Sequence, residues 1–391
     1  MNWYEVLEAV TQHKGKIHDL STGAPLLLPE VTNELVQEIG RLSLNSTIGK
    51  ELGSYENLDG FPKLIKAFSE RCTHDFKHQV TSEQVLVIPG VQAGLRYIQE
   101  LIRERGQRIL YPLNLEFPGA IDHLTPFPPS IGNYYSSSVG LDSCLPLFDI
   151  KSLNWRDVGA VILSRPHNPT GRLWSADEIN TLATFALQND AWIVLDETYA
   201  LPFAPLVTNH YTSVDAPNII HLYSFSKVGL AAERVGVVVA PSKIVTLLRD
   251  VLRRNIIQSP KLGQHLAFSA IKIFEKCPDL ASLFGTTYYK RWNFCYSALR
   301  ASGIHNAKIR IAKWEGGPFL WLEWQGNSTT DEVFRALLNA GVAVAPGSAL
   351  RVTKEYEDRQ GLEGLRIGLG ASIEDLEVGM DIIARVLINL D

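Results

Sequence analysis

Cysteine is scarce in this chain. The four present, Cys72, Cys144, Cys277 and Cys295, lie far apart and form no Cys-x-x-Cys pair, which argues against a disulfide framework or a zinc cluster. Long apolar runs are missing as well, since none approaches the ~20 residues that a membrane-spanning helix requires. The start, Met1-Asn2-Trp3-Tyr4-Glu5-Val6-Leu7-Glu8, carries acids where an export signal needs a basic start and an apolar stretch. Basic clusters are absent too. A net charge of -5 with scattered lysines and arginines gives no electrostatic footprint for nucleic acid or an anionic membrane. There is no strand-associated G-x-G-x-x-G, no P-loop and no H-E-x-x-H, so nucleotide and zinc chemistry lack positive support. A globular, cytoplasmic protein is the expectation.

What the chain does have is apolar material in short blocks. Its 391 residues, 46% of them hydrophobic, can fill one large domain and a smaller one. Runs at Val85 to Ile88, Ile109 to Tyr111, Val158 to Ser164, Trp192 to Leu195, Ile219 to Tyr223 and Val235 to Val239 are mostly continuous rather than alternating, as in strands covered on both faces. Helical stretches lie between several of them, the clearest opening with the capping box Ser175-Ala176-Asp177-Glu178. This predicts an α/β fold with a mostly parallel sheet covered by helices. After about residue 285 the pattern changes to a strand at Phe319 to Glu323, a helix at Thr330 to Ala340, a strand at Val342 to Ala345 and a terminal helix at Ser372 to Leu390. We therefore expect a large domain over 46–285 and a smaller α+β domain from 1–45 and 286–391. Before residue 45 only a first helix, Asn2 to Thr11, is predicted.

One polar, basic island interrupts the apolar blocks: Ser224-Phe225-Ser226-Lys227-Val228-Gly229-Leu230-Ala231-Ala232-Glu233-Arg234. A lysine between two buried strands loses hydration, which favours the neutral amine and makes it a nucleophile able to condense with an aldehyde. Ser224, Ser226 and Arg234 are suited to gripping a phosphate. A phosphate-bearing aldehyde cofactor is pyridoxal 5'-phosphate (PLP), and Lys227 is its expected Schiff-base residue.

Other strand ends supply matching groups. Trp192-Ile193-Val194-Leu195-Asp196 ends in an aspartate, where ligands of parallel sheets sit, and Asp196 can keep a pyridine nitrogen protonated. Tyr199 can donate to the ring's phenolic oxygen. Ser164-Arg165-Pro166-His167-Asn168-Pro169-Thr170-Gly171 is a turn stiffened by its prolines that can present the Asn168 amide to the same oxygen. Val87-Ile88-Pro89-Gly90-Val91-Gln92-Ala93 leads into a helix beginning near Ala93, whose free N–H groups, with Val91 and Gln92 at the turn, would cradle the phosphate. Phe117 is a candidate to stack on the cofactor ring. In Gly364-Leu365-Arg366-Ile367-Gly368, an arginine inside an apolar run needs an anion, either a substrate carboxylate held bidentately or an internal acid.

Ser224-x-Ser226-Lys227 with Arg234, Asn168-Pro169-x-Gly171, Asp196-x-x-Tyr199 and Arg366 together resemble the fold-type I PLP enzymes of the class I/II aminotransferase family, over roughly residues 20 to 390. Ser164-Arg165-Pro166-x-Asn168-Pro169-Thr170-Gly171, the spacing from Lys227 to Arg234, and Glu315-Gly316-x-x-Phe319-Leu320-Trp321-Leu322 resemble its valine–pyruvate branch. The resemblance implies a homodimer with active sites shared at the interface, Tyr55 reaching the neighbouring subunit's cofactor phosphate, and an amino acid and a 2-oxo acid as substrates. It also implies substrate contacts from Arg366, Asn168, Thr22 and Gly23. The chain departs from the family at Val91, where a small or hydroxyl residue is usual, and at Leu20-Ser21-Thr22-Gly23-Ala24-Pro25, which does not repeat the family's entrance loop.

Transamination is the expected reaction, with Lys227 as general base. A PLP-dependent cyclisation of a hydroxylated arginine is the alternative, with Glu116 as a possible partner for a guanidinium. A PLP-binding regulator of DNA would need a basic module that the sequence lacks.

Overall fold

In the computed structural model of the chain, the residues described are 1–44, 48–132, 134–138, 143–148, 150, 153–208, 211–304, 309–325, 327–353 and 362–389. Seven strands form the larger sheet, in the order Val85–Ile88, Gly236–Val239, Ile219–Ser224, Trp192–Asp196, Val158–Ser164, Arg108–Tyr111 and Ser130–Ile131. Gly236–Val239 runs antiparallel to both of its neighbours and the remaining pairs are parallel. The fold is α/β, as expected.

The continuous apolar runs have a direct structural reason. In Trp192–Asp196, Val194 joins a core with Leu95, Ile98 and Leu248 of the helices Val91–Glu104 and Ser242–Ile256. Its neighbours Ile193 and Leu195 join a second core with Ile179 and Leu182 of the helix Ala176–Gln188. Successive side chains thus enter opposite cores, and each fully buried aliphatic one stabilises the sheet by about 1.5–3 kcal/mol. Ser175 caps that helix as its sequence predicts, its hydroxyl accepting from the amide of Glu178 at 3.2 Å.

A second, six-stranded sheet has the order Ala345–Pro346, Leu362–Gly368, Phe319–Gln325, Ile309–Ala312, Ser143–Phe148 and Tyr134–Ser138. Its last two strands come from inside the stretch expected to form the large domain. The single strand expected over Val342 to Ala345 is two: Val342–Ala343 pairs in parallel with His18–Asp19, and Ala345–Pro346 pairs with the strand carrying Arg366. The N-terminal segment holds the expected helix, Trp3–Gln12, and an unexpected one, Pro29–Ser43, which packs on Lys261–Lys276. Among the described residues, no helix is long and apolar enough to cross a membrane.

Candidate active site

Three parallel strands end side by side. Ser164 is in register with Asp196, and Asp196 with Leu222, two residues before Ser224. Chain order alone therefore brings the Asn168 turn, Asp196 and the Lys227 island to one edge of the sheet.

Lys227 lies in a short 3-10 turn, Ser226–Val228, partly buried, with Nζ donating to the Gly23 carbonyl at 2.5 Å and 5.9 Å from the Tyr199 ring centroid. Burial, reinforced by the positive charge of Arg366, lowers its pKa to about 8 against the pull of Asp196. Asp196 is buried, and burial raises its carboxyl to about 6, although Oδ1 accepts from the Thr198 amide at 3.0 Å and hydroxyl at 2.6 Å. It therefore remains mostly ionised at neutral pH. Asn168 joins two neighbours: Nδ2 donates to the Tyr199 hydroxyl at 3.3 Å, and Oδ1 accepts from Arg366 Nη1 at 2.9 Å. Burial pushes the Tyr199 phenol well up, so it stays protonated.

Arg366 has no ion-pair partner among the described residues. Nη2 donates to the Ser21 carbonyl at 2.6 Å, while Nε is buried without a hydrogen bond. Burial lowers its pKa to about 10, which leaves it cationic at neutral pH. Of the two partners that the sequence allowed, an internal acid is not the one found. A buried, unneutralised guanidinium is costly unless an anion arrives to pair with it.

At the other end of the site, the helix Val91–Glu104 starts at Gly90 with no side-chain cap. It begins two residues earlier than predicted. Gly90 has φ +85°, and a Cβ there would stand 2.5 Å from Arg234 Nη2. The glycine thus makes room for a guanidinium beside the uncapped amides, a cradle suited to phosphate. Ser224 Oγ accepts from the Ser226 amide at 3.1 Å, which shapes the loop between Ser224 and Lys227. Val91 is buried, and Gln92 is exposed at the first turn. Phe117 is half-buried and borders a cavity of about 550 Å3 that Gln92 and Trp3 also line. Thr22 and Gly23 lie against the strand and ring opposite, Gly23 beside Phe319 and the Thr22 carbonyl against Gly368. Tyr55 is 73% exposed.

Glu116 does not stand free to meet a guanidinium. Oε1 accepts from the Ser164 hydroxyl at 2.6 Å and the Phe117 amide at 2.8 Å, and Oε2 accepts from the Ser164 amide at 3.0 Å. Burial raises its pKa to about 8. Ser164 Oγ in turn accepts from the Asn168 amide at 2.8 Å, so Glu116 braces the Asn168 turn.

Sequence reasoning missed three contributors. Thr198 steadies Asp196, and the spacing Asp-x-Thr was an available sign of such a turn. Trp3, far away in sequence, has its ring 5.3 Å from the Arg366 guanidinium carbon. Next to Asp196, Glu197 Oε2 meets His221 Nδ1 at 2.7 Å, and His221 Nε2 meets Asp215 at 3.4 Å, all buried or partly so.

The uncapped helix start beside Arg234, Lys227 with its lowered pKa and the unpaired Arg366 fit a phosphate, an aldehyde and a carboxylate in turn, the groups of a PLP enzyme and its amino acid. Comparison with known proteins gives the family. The aminotransferase class I and II pattern matches residues 16–383, and the chain belongs to that family, whose cofactor is PLP. It is 22% identical over 386 residues to valine–pyruvate aminotransferase of Escherichia coli, covering 94% of this chain and 89% of that one. It is 23% identical over 374 residues to aspartate/prephenate aminotransferase of Thermus thermophilus, covering 91% and 88%. The crystal structure of valine–pyruvate aminotransferase from Salmonella typhimurium superposes with a TM-score of 0.87 at 21% identity, covering 98% of both chains. The protein is a PLP-dependent aminotransferase.

Proposed function

We propose that the protein exchanges the α-amino group of a neutral, apolar amino acid with a 2-oxo acid, in the manner of a valine–pyruvate pair. The observation that carries this reading is the Arg366 guanidinium, buried without an acid and hydrogen-bonded to Asn168 and Ser21, while Lys227 reaches Gly23 in the same short segment. A carboxylate on Arg366 sets an amino acid's α-carbon toward Lys227.

The residues divide the work. The amides of Val91 and Gln92, with Ser224, Ser226 and Arg234, would hold the cofactor phosphate, Phe117 would cover the ring, and Lys227 would hold the aldehyde carbon covalently. When bound, PLP supplies an aldehyde that condenses with amines and a ring that withdraws electrons from bonds at the α-carbon. Asp196 keeps a proton on the ring nitrogen, and Tyr199 and Asn168 donate to the phenolic oxygen. Lys227 Nζ, with its pKa lowered to about 8, removes the proton from the substrate α-carbon and returns it. Arg366 orients the carboxylate, with Thr22 and Gly23 closing that end.

We place the active unit as a homodimer in the cytoplasm, divided as 46–285 and 1–45 with 286–391, in which the exposed Tyr55 serves the neighbouring subunit's phosphate site. The cyclisation alternative gains nothing from Glu116, whose oxygens are taken by Ser164 and Phe117.

The test is product analysis with 15N-valine and pyruvate. Labelled alanine and 3-methyl-2-oxobutanoate are expected, and Lys227→Ala should abolish both. A product that keeps its own nitrogen and loses water, or full turnover by Lys227→Ala, would contradict the reading.

A further inference from the structure

Two aromatic rings lie against the Arg366 guanidinium. Phe319 has its centroid 4.4 Å from the guanidinium carbon, and Trp3 has its centroid 5.3 Å away. Both distances are within the ~6 Å range of cation–π attraction, which strengthens as water is excluded. Phe319 belongs to the neighbouring strand, but Trp3 arrives from the opposite end of the chain.

Its placement is built rather than incidental. Trp3 opens the helix Trp3–Gln12, which Asn2 caps through a reciprocal bond with Glu5, and Val6 on the same helix is fully buried. The indole packs against a small core of Leu115, Ala312, Trp321, Ala345 and Leu350. Trp3 also lines the cavity of about 550 Å3, whose lining includes Phe117, Leu7, Ile121 and Val352 beside Arg96 and Arg351. That space is much larger than a valine side chain, and its lining mixes apolar side chains with polar ones, the apolar ones including Trp3, Phe117 and Val352.

We propose that Trp3 is a specificity-determining residue: its ring shields the Arg366 guanidinium from water and forms the wall along which a bulky apolar substrate side chain, branched aliphatic or aromatic, lies. The inference rests on the reading of Arg366 as the carboxylate holder. It assigns the N-terminal helix to the substrate site and extends the substrate class beyond valine.

The probe is 4-methylpentanoate, a leucine analogue without the amine that cannot react with the cofactor, titrated calorimetrically into the holoenzyme. Trp3→Ala should weaken its binding about tenfold and Trp3→Phe by less than about threefold. The KM for leucine should rise more than the KM for alanine, whose methyl group is too short to reach the ring. Wild-type affinity in Trp3→Ala, with binding abolished in Arg366→Ala, overturns the role of Trp3 and leaves the carboxylate assignment standing. Wild-type affinity in Arg366→Ala overturns both. If Trp3→Ala does not fold, Trp3→Leu against Trp3→Phe decides: weakened binding in the leucine variant alone supports the wall, and equal affinity in the two rejects it.

Discussion

Gly90→Ala tests whether the phosphate cradle depends on a missing side chain. Gly90 sits at φ +85°, ψ 157°, a region essentially reserved for glycine, so alanine there adds about 1–3 kcal/mol of backbone strain. The new Cβ would lie 2.5 Å from Arg234 Nη2, where ordinary contact starts near 3.4 Å. The guanidinium must therefore retreat by about 0.9 Å. Arg234 is exposed and, among the described residues, is held by its bond to the Ala231 carbonyl at 2.9 Å, so it can move without disturbing the core. The two costs then separate. Strain appears as a lower melting temperature of the apoprotein. Displacement appears as lost phosphate grip, where one charge-assisted hydrogen bond of about 1.5–3 kcal/mol corresponds to about 10- to 150-fold in the Kd for PLP. Titration of apoprotein with PLP, followed by absorbance, measures the second cost. If the substitution acts through Arg234, then Gly90→Ala added to Arg234→Ala should weaken PLP binding little further. Wild-type PLP affinity in Gly90→Ala would refute the cradle, and full additivity in the double variant would refute the route through Arg234.

Two further outcomes follow from the buried charges. Arg366→Met should cut kcat/KM by about 100-fold or more, because a buried charge pair with the substrate is lost. Yet the melting temperature of the unliganded protein should shift by only a few degrees, since two hydrogen bonds are exchanged for relief from an unpaired buried charge; a large drop in melting temperature would show that Arg366 is structural. For His221, burial opposes the charge, but Glu197 and Asp215 outweigh it and hold the ring at about 9, above its ordinary 6.5. Because the folded-state value is raised, its contribution is fully present below about 6.5 and is lost as pH rises through about 9. His221→Asn should therefore cost about 3–5 kcal/mol at pH 6 and distinctly less at pH 10, as read from denaturant melts; equal losses would contradict an imidazolium. The groups that set this balance are Glu197 and Asp215 on the ring, Arg165 and Tyr211 on Glu197, and His78 on Asp215.

Six of the seven strands of the larger sheet were legible because both of their faces are buried, so their runs are almost wholly apolar, His221 being an exception inside Ile219–Ser224; the two-residue Ser130–Ile131 is too short to leave a pattern. The site was legible where strand order fixes proximity: Ser164, Asp196 and Ser224 end three adjacent strands, and no long-range information is needed to group them. Other features were hidden for physical reasons. Pro29–Ser43 buries only Val31 and Leu35, too few to produce a clear apolar stripe. Tyr134–Ser138 and Ser143–Phe148 contain a serine run and a proline, residues with weak strand preference. The neutral partners of Arg366 lie 198 and 345 residues away in sequence, and nothing local to Leu365-Arg366-Ile367 indicates that they are carbonyl oxygens rather than a carboxylate.

The same arrangement ties base strength to occupancy. Burial comes first among the causes that lower the Lys227 pKa, followed by Arg366 and, more weakly, Arg234, with Asp196 opposing them. Neither arginine has an ion-pair partner among the described residues, so Asp196 is the charge that opposes them at the amine. On the proposed roles, a phosphate at Arg234 and a carboxylate at Arg366 cancel these two influences. The amine is then a weaker base in an empty pocket and a stronger one when a carboxylate is in place. An amine lacking the carboxylate would be disfavoured twice, by losing its contact with Arg366 and by meeting a less basic Lys227. On these roles, discrimination for α-amino acids would come from the electrostatics of the site as well as from its shape.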